Sequence, residues 1–296
     1  MSDSDTNTFF AGEAFGAAAG ASAPTTCVLA VQLGNMETSC GVFVAGKLVA
    51  HWTTATRPYA TPDDVELELR AFLAAKSAGA AGDVNAAGAT GTATLAPAQA
   101  ILCSVVPQAT YAWEKALQAV CASRPLVVGP GLKTGLSLKY KDPAQVGSDR
   151  VACAVAARHL FGSGVIVVDF NHATTAFSVV DENGAFAGGV IAPGLGVSMN
   201  AMETSAAQLV LPALRAPQKV LARSTAAAIE SGVIMGEVLR TDGFIDALWQ
   251  ELGGETKLVA TGHYAALITG RTTHVFAVEP HLALLGLYEL WELNCK

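Results

Sequence analysis

The chain carries few charges for its length. Only 15% of its 296 residues are Asp, Glu, Lys or Arg, and the 25 acids outnumber the 18 bases, for a net charge of −7. A general nucleic-acid binder neutralises phosphates with a basic surface, so this balance argues against that class. It leaves room for a small anionic ligand held by a few local donors. Long apolar runs are missing too. Mean hydropathy is +0.40, much of it from Ala, yet no unbroken run of about 18 apolar residues occurs, so no membrane span is expected. None of the six cysteines (Cys27, Cys40, Cys103, Cys121, Cys153 and Cys295) stands in a C-x-x-C pair or at metal-ligand spacing from a His. Free thiols are therefore expected rather than a disulfide framework or a zinc site. No Lys or Arg precedes Lys47, so the opening lacks the basic start of a secretory signal, and the expected compartment is the cytoplasm. Neither G-x-x-x-x-G-K-[ST] nor a helix-opening G-x-G-x-x-G is present, which excludes P-loop and Rossmann readings.

What the chain does have is apolar material. At 51% hydrophobic it builds a sizeable core in one large domain or two ordinary ones. Residues 1–25 are small and polar and are expected to form a flexible tail. Residues 77–97, rich in Ala and Gly, are expected to form a low-complexity surface insertion. Strands are predicted over Cys27–Leu33, Gly41–Val44, Lys47–Trp52, Ala100–Val106 and Pro125–Val128, with helices over Pro62–Lys76 and Ala109–Ala122. Thr61 is placed to cap the first helix, with Pro62 in its first position and Asp63, Asp64 and Glu66 at the positive end of its dipole.

The second half repeats the opening. Strand, polar turn, strand, short turn, strand recurs at Gly164–Asp169, Ala176–Val180 and Ala185–Ile191. This predicts a duplicated α/β domain with a cleft between halves, the alternative being chance recurrence of hairpins. Polar or Gly-containing turns follow strands at Gln32–Thr38, Asp169–Thr175 and Val259–His263. Backbone N–H groups of such turns can cradle phosphates, although each could be an ordinary turn. Between the halves, Val146-Gly-Ser-Asp149-Arg150 opens an apolar helix. There Asp149 is either a cap or a functional carboxylate, and Arg150 either a surface residue or a ligand contact.

The order of these motifs resembles the type III pantothenate kinases of the actin-like kinase superfamily, from about Val28 onward. The matching segments are Val127–Gly135, Gly147–Arg150, Val168-Asp-Phe170 with Ala173-Thr-Thr175, and Gly188–Gly196. Thr225 with Ser231–Gly236, and Val259–Gly262, complete the order. The resemblance implies a duplicated ribonuclease-H-like fold, two domains flanking a cleft, divided here as 26–148 and 149–296. It implies ATP-dependent phosphorylation of pantothenate on the way to coenzyme A, with magnesium and a monovalent cation (K+ or NH4+), in a homodimer. By position, Asp149 matches the proton acceptor. Gly147, Ser148, Asp149 and Arg150 match the pantothenate-binding segment, and Tyr140 and Thr225 match further substrate contacts. Gln32, Leu33, Gly34, Asn35, Met36, Glu37, Thr38 and Ser39 match the first phosphate-binding segment. His172 and Gly262 fall on further nucleotide positions, and Asp169 matches the monovalent-cation ligand.

Three departures lie on the nucleotide side. Gln32 stands where the family has Asp, Asn171-His172 where it has Gly-Thr, and His263 where it has Gly. These departures leave a second expectation open, that of a weakened or non-catalytic homologue acting as a pantothenate-binding or regulatory protein.

Overall fold

The computed structural model describes residues 8–10, 26–80, 95–205, 217 and 219–295. In chain order the elements are β1 (Thr8–Phe10), β2 (Cys27–Leu33), β3 (Glu37–Val44), β4 (Lys47–Ala55), α1 (Pro62–Ala80), β5 (Gln99–Ser104), α2 (Pro107–Cys121) and β6 (Leu126–Val127). They continue with α3 (Ser148–Phe161), β7 (Val165–Phe170), β8 (Thr174–Val180), β9 (Phe186–Pro193), α4 (Leu195–Ser205), α5 (Thr225–Leu252), β10 (Lys257–Thr261), α6 (Ala265–Thr269), β11 (Phe276–Val278) and α7 (Leu282–Cys295).

Two sheets carry the same topology. The first has the order β4-β3-β2-β5-β6, with β2 antiparallel to β3 and parallel to β5. The second reads β9-β8-β7-β10-β11 with the same polarities, and β1 adds a parallel strand beside β11. The expected duplication is therefore present strand for strand, in a mixed α/β fold of the ribonuclease-H-like type. Of the expected flexible tail, Thr8–Phe10 instead form β1; the remaining residues up to 25 lie outside the described residues. Of the expected insertion, residues 77–80 continue α1 and 81–94 lie outside the described residues.

By internal contacts the chain forms two compact units. One comprises Ala14–Gly135, Asp142–Ala156 and Ala283–Lys296; the other comprises Met1–Glu13, Leu136–Lys141 and Ala157–Leu282. A single cut near residue 148 was expected; the contacts give an interleaved division, in which nearly all of α7 counts with the first sheet.

In the first-sheet unit, alternate residues of β2 and β5 (Leu29, Val31, Leu33, Ala100, Leu102) pack with Val65, Leu69 and Leu73 of α1 and with Trp113, Ala116 and Leu117 of α2. Period-2 alternation then puts Val28, Ala30, Gln32, Ile101 and Cys103 on the opposite face. α1 begins as expected: Thr61 Oγ1 accepts from Asp64 N at 3.2 Å, and Asp64 Oδ2 accepts from Thr61 N at 3.0 Å. This reciprocal pair satisfies two donors the helix leaves open. α3 and α7 meet at Gly286, where a Cβ would sit 1.8 Å from the Ala152 carbonyl oxygen; only a residue without a side chain permits that approach.

In the second-sheet unit, Ile166, Val168, Phe170, Leu258 and Ala260 pack against Ile229, Val233, Ile234 and Val238 of α5 and Ala265 and Ile268 of α6. Asp169 and Thr261, paired in register, fall on the other face. The buried Glu237 of α5 accepts from Thr175 Oγ1 at 2.7 Å and pairs with Arg240, which donates to the Pro193 carbonyl at 2.7 Å. These bonds fasten α5 to β8 and β9.

Candidate active site

In the first-sheet unit, three segments meet at the carboxyl ends of β2 and β5. Gln32 and Leu33 end β2; Gly34, Asn35 and Met36 form the turn; Glu37, Thr38 and Ser39 begin β3. The turn is closed by Gly34 N donating to Glu37 O at 3.1 Å. It is buttressed by Thr56 Oγ1 donating to Gly34 O at 2.7 Å, with Thr38 and Thr56 hydroxyls 2.8 Å apart. Beside it, Gln32 pairs in register with Cys103 and Leu33 with Ser104. Onto Ser104 comes α3: Ser148 Oγ donates to the Ser104 carbonyl at 3.1 Å. The sequence-predicted residues Gln32–Ser39 and Gly147–Arg150 are thus brought to one strand-end region, through Ser104, which sequence reasoning did not single out.

Asp149 sits in the first turn of α3, where the helix dipole favours an acid. Its Oδ1 accepts from Arg150 N at 2.8 Å and folds over Gly147, whose Cβ, if present, would lie 2.5 Å from it. Burial nevertheless pushes the Asp149 carboxyl above its ordinary value, against the lowering effect of that hydrogen bond and of the Arg150 charge. Arg150 is buried at 7% exposure, not the surface residue that one reading of the sequence allowed. The buried Cys103 thiol is held well above its ordinary value by desolvation and by the neighbouring Asp149 charge, so it is an unreactive neighbour.

In the second-sheet unit, Asp169, His172 and Gly262 converge at the ends of β7 and β10. Gly262 has φ +91, and a Cβ there would lie 2.5 Å from Asp169 Oδ1 and 2.7 Å from the Phe170 carbonyl oxygen. Both the backbone conformation and the space require glycine. Asp169 is buried at 9% exposure. His172 lies in the β7–β8 turn, with Nδ1 3.1 Å from the Tyr264 hydroxyl. Tyr140 lies on a segment bonded alongside β9 (Lys139 N to Phe186 O, 2.8 Å) and its ring tilts against Phe186 at 6.1 Å. Thr225 opens α5 and is exposed; among the described residues no side-chain hydrogen bond or ring contact joins it to Tyr140. Tyr264 is the residue sequence reasoning missed here; its only signal was its place directly after His263.

Among the described residues, no group of three or more His, Cys, Asp or Glu is placed to hold a metal ion. The oxygen donors at the strand ends are dispersed rather than gathered into a cage: Gln32, Asn35, Glu37 and Asp149 in the first-sheet unit and Asp169 in the second. Such a set suits an ion that brings phosphate oxygens and water with it, as magnesium does. No helix of the described residues is long and apolar enough to cross a membrane.

Comparison with known proteins bears on both halves. Two solved structures share the fold at 15% identity. One is a conserved protein of the Baf family of transcriptional activators from Campylobacter jejuni (TM-score 0.55, covering 90% of this chain and 98% of that one). The other is the ethanolamine utilization protein EutJ from Carboxydothermus hydrogenoformans (TM-score 0.52, covering 90% of each chain). A type III pantothenate kinase from Bacillus cytotoxicus is 34% identical over 267 residues, covering 90% of this chain and 96% of that protein. The model of the type III pantothenate kinase family matches residues 28–247, a span that takes in the first sheet and strands β7–β9 of the second. The chain belongs to the type III pantothenate kinase family.

Proposed function

We propose that the protein transfers the γ-phosphoryl group of ATP to the primary hydroxyl of pantothenate, the first step towards coenzyme A. Family membership supports the reaction. The observation that carries the assignment of roles is Asp149, held at the start of α3 beside the first phosphate turn of the same unit. Phosphoryl transfer depends on positioning and charge neutralisation more than on covalent chemistry. One carboxylate near the attacking hydroxyl accepts its proton, and a carboxyl raised by burial is the better base.

On this reading Gly147, Ser148, Tyr140 and Thr225 complete the substrate contacts, and Arg150 pairs with the pantothenate carboxylate. The turn Gln32–Ser39, His172 and Gly262 serve the nucleotide. Asp169 binds the monovalent cation, K+ or NH4+. Magnesium, when bound, would neutralise charge on the transferring group, and Gln32 would offer it a neutral amide oxygen where a carboxylate would strengthen the site. The protein works as a cytoplasmic homodimer. The family resemblance supports the dimer, and exposed apolar residues such as Ile191, Leu221 and Leu239 are available to an interface. Neither the fold nor the family relationship favours the non-catalytic alternative.

The test is ADP release with ATP, magnesium, potassium and pantothenate, with the phosphorylated product identified by mass spectrometry. Turnover that requires pantothenate is expected. Nucleotide hydrolysis independent of pantothenate, or no turnover at all, would remove the proposal. Light scattering at micromolar concentration tests the dimer: a mass near 30.3 kDa, that of one chain, counts against it.

A further inference from the structure

His172 replaces a small residue of the family's nucleotide motif, and its surroundings show where its bulk goes. The ring fills the space over Gly196, where a Cβ would fall 2.1–2.2 Å from three of its atoms. Its Nδ1 shares a 3.1 Å hydrogen bond with the Tyr264 hydroxyl, and the two rings lie 6.3 Å apart at 30°. The His172 carbonyl accepts from the first amides of α4, Gly196 N at 3.1 Å and Val197 N at 3.2 Å. One residue thereby joins three segments: the β7–β8 turn, the β9–α4 junction and, through its side chain, the turn after β10.

That last turn is already close. Tyr264 N donates to Phe170 O at 3.0 Å, and Gly262 lies against Asp169. Backbone contacts hold the β10 turn to the end of β7 and the His172 carbonyl to α4, and the His172–Tyr264 bond adds the side-chain tie between the two turns. The Tyr264 ring is in turn braced by His263, edge to face at 4.8 Å and 78°. Two of the three departures from the family pattern thus belong to one cluster whose members touch each other.

We infer that His172 and Tyr264 are a pair of positioning residues for the nucleotide, a side-chain latch that holds the 171–174 and 262–264 turns at the spacing ATP requires. This rests on the proposed function insofar as ATP is the phosphoryl donor. A latch of this kind acts on nucleotide affinity. It has no reason to alter pantothenate affinity, and it does not supply a group to the reacting atoms.

The experiment is a double-mutant cycle on the full-length protein with Tyr264→Phe, His172→Ala and the double variant. It is read by KM for ATP, KM for pantothenate and kcat, and by calorimetry of ADP binding without pantothenate. Each single variant should raise KM for ATP and weaken ADP binding by about three- to ten-fold, the net worth of one hydrogen bond. KM for pantothenate should stay within two-fold, on the order of measurement scatter, and kcat at saturating ATP should fall less than KM rises. The double variant should be no worse than the poorer single, because both break the same bond. His172→Gln, which can still reach the hydroxyl, should recover much of the affinity. Single effects that multiply in the double variant, an equal rise in both KM values, or unchanged ADP binding would each overturn the latch. If the wild type binds ADP with the expected coupling yet never phosphorylates pantothenate, the proposed reaction falls and the latch stands.

Discussion

The two halves of the molecule place different chemistry on one scaffold. Asp169 stands 137 residues after Gln32, the same interval that separates Val28 from Val165. Each is the next-to-last residue of the central strand of its sheet, and each pairs in register with the parallel neighbour, Gln32 with Cys103 and Asp169 with Thr261. Both pairs fall on the sheet face away from the α1–α2 or the α4–α6 packing. One pair is a neutral amide beside a buried thiol; the other is a buried carboxylate beside a threonine. Backbone topology therefore decides where a strand-end group sits, and a single side chain decides whether that place carries charge.

The largest test of this comparison removes the buried carboxylate that the first half does supply, Asp149. Asp149→Asn should lower kcat by about a hundred- to ten-thousand-fold, the usual worth of a general base, with ADP binding by calorimetry little changed. The same variant should be no less stable at pH 7. A carboxyl raised in the folded state contributes stability below its unfolded pKa and loses it as pH rises through the folded value, so the neutral amide is spared that cost. Thermal unfolding checks this, and a large loss of stability would mean that Asp149 is chiefly structural.

A second test makes the halves alike. Gln32→Asp should raise magnesium-dependent turnover by up to about a hundred-fold, since preorganised charge at a transferring phosphoryl group is worth several kcal/mol. Steady-state kinetics across magnesium concentrations would read it, and an unchanged rate would show that the amide already suffices. His172→Thr, which restores the family's smaller residue, should not help: it leaves the ring's space over Gly196 empty and Tyr264 without its 3.1 Å partner.

A smaller effect lies away from the strand ends. Gly286→Ala forces α7 off Ala152 and should destabilise the first-sheet unit by about 1–3 kcal/mol, seen as a lower midpoint in thermal unfolding. The second-sheet unit has no counterpart of this helix contact among its described residues. The smallest effect concerns pH. Because Asp149 must be ionised to accept a proton and burial raises its pKa, kcat/KM should fall on the acid side at a pH above the ordinary value of an aspartate. Asp149→Asn should abolish that limb along with the activity.

Much of the fold was legible in the sequence because it is written locally. The apolar run of β7, the Ala45-Gly46 turn between β3 and β4, and Thr61 with Asp64 at the head of α1 each declare themselves within a few residues. The candidate site was legible only as segments. That Ser104 receives Ser148, or that Tyr264 reaches His172, depends on contacts 44 and 92 residues apart in sequence, which no local pattern encodes. β1 escaped notice because three residues in a polar stretch give no periodicity; only pairing with Phe276–Val278 makes them a strand. The affiliation of α7 was hidden for the same reason: its apolar composition announces burial, but not against which sheet.

That affiliation also sets an order of events during synthesis. Domains of a growing chain generally fold as they emerge, earliest first. Here the strands of the first sheet are complete by Val127, yet Trp291, which donates to Gln99 at 2.8 Å, and Gly286, which seats on Ala152, leave the ribosome more than 150 residues later. The contiguous 157–282 stretch has by then all its principal strands and can close first. The earlier-made sheet must wait for those two contacts, which α7 supplies last.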